Sequence, residues 1–222
     1  MNNKHNIKDS KKWLTTTVIT RWTGLFAITA GILYIVIQFI HPSDDISSVD
    51  TNLWVIVACL TMAIAIFNLI GITGIYTRQV KESGWLGLIG FLMFSLFWLS
   101  AAVFSFIEAF VLPLLTTMAP QFVEGFIGIF GGFVSEVDLG ILPTIGSLAG
   151  VMYILGGFLF GIAIFRAKVL SRLGGALLAF SAVATIGASI VPHPFDRIFA
   201  IPMGIALIWL GYALWAEHNR KI

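Results

Sequence analysis

Long apolar runs separated by short polar breaks make up most of the chain. Six of them, residues 22–40, 53–76, 85–112, 144–165, 173–191 and 198–216, are long enough to cross a bilayer core as helices, which takes about 20 residues each. None alternates polar and apolar positions as a barrel strand does, and lipid offers an open strand no hydrogen-bond partners, so helices are predicted throughout. A seventh apolar stretch, 125–134, is too short to span. It carries Gly125, Gly128, Gly131 and Gly132 and reads as a re-entrant or interfacial segment. The expected fold is all-α: one six-span transmembrane bundle over 22–216, with a basic segment at 1–21 and a short tail at 217–222.

Composition makes lipid part of the solvent. The chain of 222 residues is 58% hydrophobic and 11% charged, more apolar surface than a soluble core of that size can hide. The net charge of +2 implies no nucleic-acid partner; where the charges fall says more. Of the 13 Lys and Arg, only Arg197 falls on one side of the predicted spans. Lys4, Lys8, Lys11, Lys12, Arg21, Arg78, Lys81, Arg166, Lys168, Arg172, Arg220 and Lys221 fall on the other. The positive-inside rule then puts both termini in the cytoplasm, as in a plasma-membrane protein. Asp44, Asp45, Asp50, Glu108, Glu124, Glu136, Asp138 and Asp196 lie opposite and make the outer face acidic. The basic start with its apolar run resembles a signal peptide but lacks a convincing cleavage site, so it reads as an uncleaved first span. The lone Cys59 allows no internal disulfide.

Internal similarity and small residues suggest how the spans assemble. Residues 74–87 (GIYTRQVKESGWLG) align on 161–174 (GIAIFRAKVLSRLG), so three repeated two-helix units are expected. Gly146 with Gly150, Gly157 with Gly161, Gly175 with Ala179 and Ala184 with Ala188 recur at four-residue spacing, which lets helix backbones approach. They predict close packing of the fourth span on the fifth, or a homo-oligomer interface. Phe91, Phe94, Phe97, Phe104, Phe106 and Phe110 with Trp98 read as core or lipid-facing residues of the third span. Asn68 is expected to hydrogen-bond across helices or to mark a polar path, and Pro202 to kink the last span.

Two runs end in the same motif. His41-Pro42-Ser43-Asp44 and His193-Pro194-Phe195-Asp196 share His-Pro-x-Asp in a chain with four His and seven Pro. A structural reading suffices for both: Pro ends the helix and Asp caps the next segment, Asp196 capping the last span. A chemical reading starts from depth. At 1.5 Å per residue His41, Glu108 and His193 reach roughly one level, with Asp44 and Asp196 just beyond. Two imidazoles and carboxylates match Zn or Fe ligand chemistry, and an open metal site activates water for hydrolysis at the outer leaflet. Tyr34 and Gln38 below His41, and Thr185 and Ser189 below His193, form polar stripes that suit a small outward-facing ligand pocket. No nucleotide loop, serine elbow or metalloprotease motif is present.

The stretches 84–90 (GWLGLIG), 107–113 (IEAFVLP), the turn from Arg166 to Ala176 and 209–215 (WLGYALW) resemble a class of uncharacterised bacterial multi-span membrane proteins, described only as a domain of unknown function. The resemblance runs from Arg21 over nearly the whole chain and implies a polytopic membrane fold without an assigned activity. Those chains place a histidine shortly after the tryptophan that opens the second span; here Trp54 is followed by Ala58 and Cys59. The leading expectation is a non-enzymatic membrane module that binds a small ligand or a membrane-protein partner. A small-solute transporter and a membrane-embedded metal-dependent hydrolase are the alternatives.

Overall fold

Thr15 accepts the Val18 amide and starts α1 (Thr16–Ile40) in the computed structural model, which describes residues 15–191 and 195–216. Pro42 ends α1 by holding His41 extended (ψ 125°), while the His41 N–H still donates to the Ile37 carbonyl at 2.9 Å. One turn, α2 (Ile46–Val49), leads to α3 (Asn52–Arg78), which Thr51 caps through the Trp54 amide. Next comes α4 (Val80–Phe110), broken at Gly84, where φ 55° and ψ −153° suit glycine alone, and continuous from Trp85. The short α5 (Leu112–Leu115) and α6 (Pro120–Gly131) precede α7 (Leu142–Ala167) and α8 (Arg172–Ala184). Two 3₁₀ helices, Thr185–Ile190 and Phe195–Ala200, lead into α9 (Ile201–Ala216).

Five helices among the described residues are long and apolar enough to cross a membrane: α1, α3, α4, α7 and the continuous 195–216 segment. The expected span 173–191 differs. Its α-helix stops after 13 residues and six 3₁₀ residues follow. At the junction the Thr185 hydroxyl takes the Ala182 carbonyl at 2.7 Å, the local competition that weakens an α ladder. Pro202, expected to kink the last span, stands where that span changes from 3₁₀ to α-helix. It sits at the second residue of α9, where the 3₁₀ segment gives way and a missing N–H costs nothing.

Each long element packs on its neighbours in the chain, and α9 returns to α1, closing a ring α1–α3–α4–α7–α8–α9. On α4 the exposed residues Ile89, Leu92, Leu96, Leu99, Val103, Phe106 and Phe110 recur every three and four positions, an outward stripe of pure hydrocarbon. Its buried face carries Gly87, Gly90, Phe94, Trp98 and Ser105. A helix that is apolar on both faces belongs in lipid. The phenylalanines therefore divide: Phe94 and Phe104 fill the core, Phe106 and Phe110 face outward.

Glycines set the closest approaches. A Cβ on Gly31 would stand 2.5 Å from the Gly204 carbonyl and one on Gly211 2.6 Å from the Gly24 carbonyl, so α1 and α9 touch backbone to backbone. The expected contact of the fourth span with the fifth holds within the chain, with Gly161 and Gly175 facing each other between α7 and α8.

Candidate functional site

At the end of the ring where α1 stops and α3 begins, the helices enclose a cavity of about 360 Å³. Both proline corners reach it. The first contributes His41, Pro42 and Asp44 and the second Asp196 and Arg197, while α4 adds Glu108 and Ser105. The depth reading thus brings His41, Asp44, Glu108 and Asp196 to one cavity. His193 lies outside the described residues.

Local chain chemistry explains how each group arrives. Asp45, and not the motif's Asp44, caps α2, accepting from the Ser48 amide at 2.9 Å and the Ser47 hydroxyl at 2.6 Å. These bonds hold the Asp45 carboxyl below the usual carboxylate range, the Ser47 hydroxyl foremost. Asp44 is left to turn toward the cavity, where Arg197 lies 3.8 Å away. That ion pair ties one corner to the other. Asp196 does not N-cap an α-helix; it stands in the first turn of the 3₁₀ helix that precedes α9.

His41 holds its ring by a 2.8 Å contact between Nδ1 and the Pro42 carbonyl. A carbonyl only accepts, so Nδ1 carries a proton. The Trp54 indole, 6.5 Å from the imidazole in edge-on geometry, donates to the Glu108 backbone carbonyl at 3.0 Å. Trp54 thereby latches α3 to the end of α4, beside the carboxylate. Gln38 donates its amide nitrogen to the Tyr34 carbonyl at 2.9 Å, which leaves its side-chain oxygen for the cavity.

Aromatic and small residues form the walls and floor. Phe97, Phe104 and Phe130 line the cavity, as do Ala58, Ala101 and Ala149, whose short side chains leave the space open. Thr61, nine residues into α3 and so roughly 14 Å from its start, also lines the cavity. Of the segment 125–134, expected to be re-entrant or interfacial, residues 125–131 belong to α6, 12 residues and too short to span; Val123, Phe126 and Ile127 pack it with Val49, Trp54, Phe104 and Leu112, and its Ile127 and Phe130 roof the cavity.

Other predicted ligand contacts fall elsewhere. Tyr34 lies beneath the floor with its ring 5.8 Å from that of Trp98. Thr185 does not line the cavity and spends its hydroxyl on Ala182, while the side chain of Ser189 is outside what the structure describes. Asn68 is fully buried, with neither amide atom hydrogen-bonded among the described residues. Nor do the described residues gather three His, Cys, Asp or Glu into a group that would hold a metal ion. Among the described residues the cavity offers one imidazole and the carboxylates of Asp44, Glu108 and Asp196, of which Asp44 is paired with Arg197.

Sequence reasoning named the acids and the histidine but missed Arg197, Ser105 and Thr61. The one available signal was Arg197, the single cation on its side of the predicted spans. Comparison with family models, with curated proteins and with solved structures gave no match, so the functional reading rests on this geometry.

Proposed function

We propose that the protein is a multi-pass plasma-membrane protein whose cavity is an outward-facing binding pocket for a small ligand. The carrying observation is the cavity itself: about 360 Å³, within the range of small-molecule sites, with apolar walls and a few convergent polar groups. Orientation follows from Arg21, Arg78, Lys81, Arg166 and Arg172, which stand at the helix ends away from the cavity and make that end cytoplasmic. Arg21 lies over the Trp215 ring at 5.5 Å, an anchor of the kind found at a membrane interface. We count α8 with its 3₁₀ extension as a sixth crossing, because 13 α-helical and six 3₁₀ residues together reach roughly 30 Å.

Thiol labelling tests this reading. In a Cys59→Ala background, Ser105→Cys in intact cells is expected to react with a membrane-impermeant thiol reagent applied from outside. Ser181→Cys, at a fully buried position away from the cavity, is expected to stay unreacted. Absence of Ser105→Cys labelling, or labelling only from the cytoplasmic side, overturns the proposal.

One observation favours a second reading, transport of a small solute. Thr61, in the cavity lining, lies about half-way down a ~30 Å bilayer core, the depth at which transporters hold their substrates. Accumulation of a bound solute inside proteoliposomes would establish transport, and binding without flux would leave the module reading.

A further inference from the structure

We infer that the ligand of this pocket is a small organic ammonium ion; the inference rests on the pocket reading above and gives it a chemical class. It starts at Glu108. This half-buried carboxylate lines the cavity on a helix that is otherwise free of charge from Trp85 to Phe110. Among the described residues its carboxylate makes no ion pair or hydrogen bond, since the Trp54 indole bonds the backbone carbonyl instead. A carboxylate held between apolar helices without a partner is costly, and a cation in the cavity removes that cost.

The remaining lining points the same way. Arg197, the cavity's guanidinium, is engaged by Asp44. Asp44 and Glu108 both line the cavity, so two acids face one space. Gln38 offers an oxygen, having turned its nitrogen to its own helix. Three carboxylates, Asp44, Glu108 and Asp196, thus line the cavity against one guanidinium, which disfavours an anion.

Size and walls separate an organic cation from a metal ion. An inorganic cation needs several oxygen ligands drawn close around it, and the described residues gather no such acidic group. A volume of about 360 Å³ bounded by Trp54, Phe97, Phe104 and Phe130 suits a body with carbon on it. Aromatic faces attract an alkylated ammonium ion and shed little hydration in doing so.

Three probes of one shape and different charge decide the matter: choline, its uncharged carbon isostere neohexyl alcohol, and the tert-butylacetate anion. Each is dialysed to equilibrium against the full-length protein in nanodiscs at constant ionic strength. Choline is expected to bind at least about tenfold more tightly than neohexyl alcohol, with tert-butylacetate weakest. Glu108→Gln, which keeps the side chain's shape, is expected to abolish the preference while leaving binding of the alcohol intact. Asp196→Asn provides a second variant with a smaller loss, should Glu108→Gln fold poorly. Equal binding of choline and the alcohol, or tightest binding of the anion, overturns the ammonium assignment and leaves the pocket standing. Binding of none of the three, with Ser105→Cys still labelled from outside, overturns it as well. Loss of labelling at Ser105→Cys is the separate result that removes the pocket.

Discussion

Helices α4 and α7 meet in two different ways along their length. Away from the cavity their backbones touch: a Cβ on Gly90 would stand 2.4 Å from the Phe160 amide nitrogen, and one on Gly156 2.5 Å from that of Phe94. Toward the cavity the small residues are Ala101 and Ser105 on α4 and Ala149 on α7, and they face a void. Gly150, one residue further, has nothing within 4 Å of the Cβ it lacks. The same class of residue therefore serves opposite ends. In one half, small side chains let helices close; in the other, bulky Phe104 and Phe130 prop the walls and small side chains leave room between them.

Glycine variants should break the comparison most sharply. Gly156→Val places side-chain atoms against the Phe94 backbone, which cannot yield without moving α4, and is expected to cost roughly 3 kcal/mol or more. Gly150→Ala, six residues away on the same helix, is expected to stay within about 0.5 kcal/mol of the parent or to gain slightly from helix propensity. Thermal melts of the detergent-solubilised protein measure both. Equal losses at the two positions would mean that α4 and α7 pack alike over their whole length.

Filling the open half is the next largest test. Ala101→Phe puts a ring into the cavity without meeting a backbone contact, so the fold should survive and Ser105→Cys labelling should fall at least about tenfold. Unchanged labelling would show that reagents reach Ser105 by a route other than the cavity. Trp54→Phe has a smaller effect. It keeps the ring but removes the 3.0 Å hydrogen bond to the Glu108 carbonyl, at a cost of about 1 kcal/mol in melts. No loss would mean that α3 and α4 hold together there by packing alone.

How much of the molecule is legible in its sequence depends on which coordinate each residue fixes. Run length and the helical rise give depth, which is why His41 and Glu108 are expected at one level with Asp44 and Asp196 just beyond, and all four line one cavity. Azimuth is not encoded in the same way. Tyr34 shares a helical face with His41 by spacing, yet its ring ends against Trp98 beneath the floor. Arg197 looks like an exception to the charge pattern until it stands beside Asp44, a contact across most of the sequence that no local rule anticipates. The α1–α9 contact is hidden because its glycines, Gly24 with Gly31 and Gly204 with Gly211, are seven apart, whereas the small-residue signature of close packing has a spacing of four. The break at Thr185 is hidden because hydrophobicity does not distinguish α from 3₁₀ turns.

The smallest effect belongs to the cap above the open half. Asp45 starts α2, whose Val49 packs with Trp54 and Phe126 under the roof of the cavity. Its hydrogen bonds from Ser47 and Ser48 favour the ionised carboxyl and lower its pKa in the folded protein. A lowered folded-state pKa contributes stability that is present above the unfolded value and lost as pH falls through the folded one. Asp45→Ala should therefore lower the melting temperature at neutral pH by no more than about 2 °C, because the cap is exposed. That gap should close as the pH is taken below the usual carboxylate range. A gap that persisted in acid would assign the difference to backbone preference at the cap and not to the charge. The Ser47 and Ser48 bonds would then matter to the roof only as geometry, and the open half would owe nothing to Asp45's ionisation.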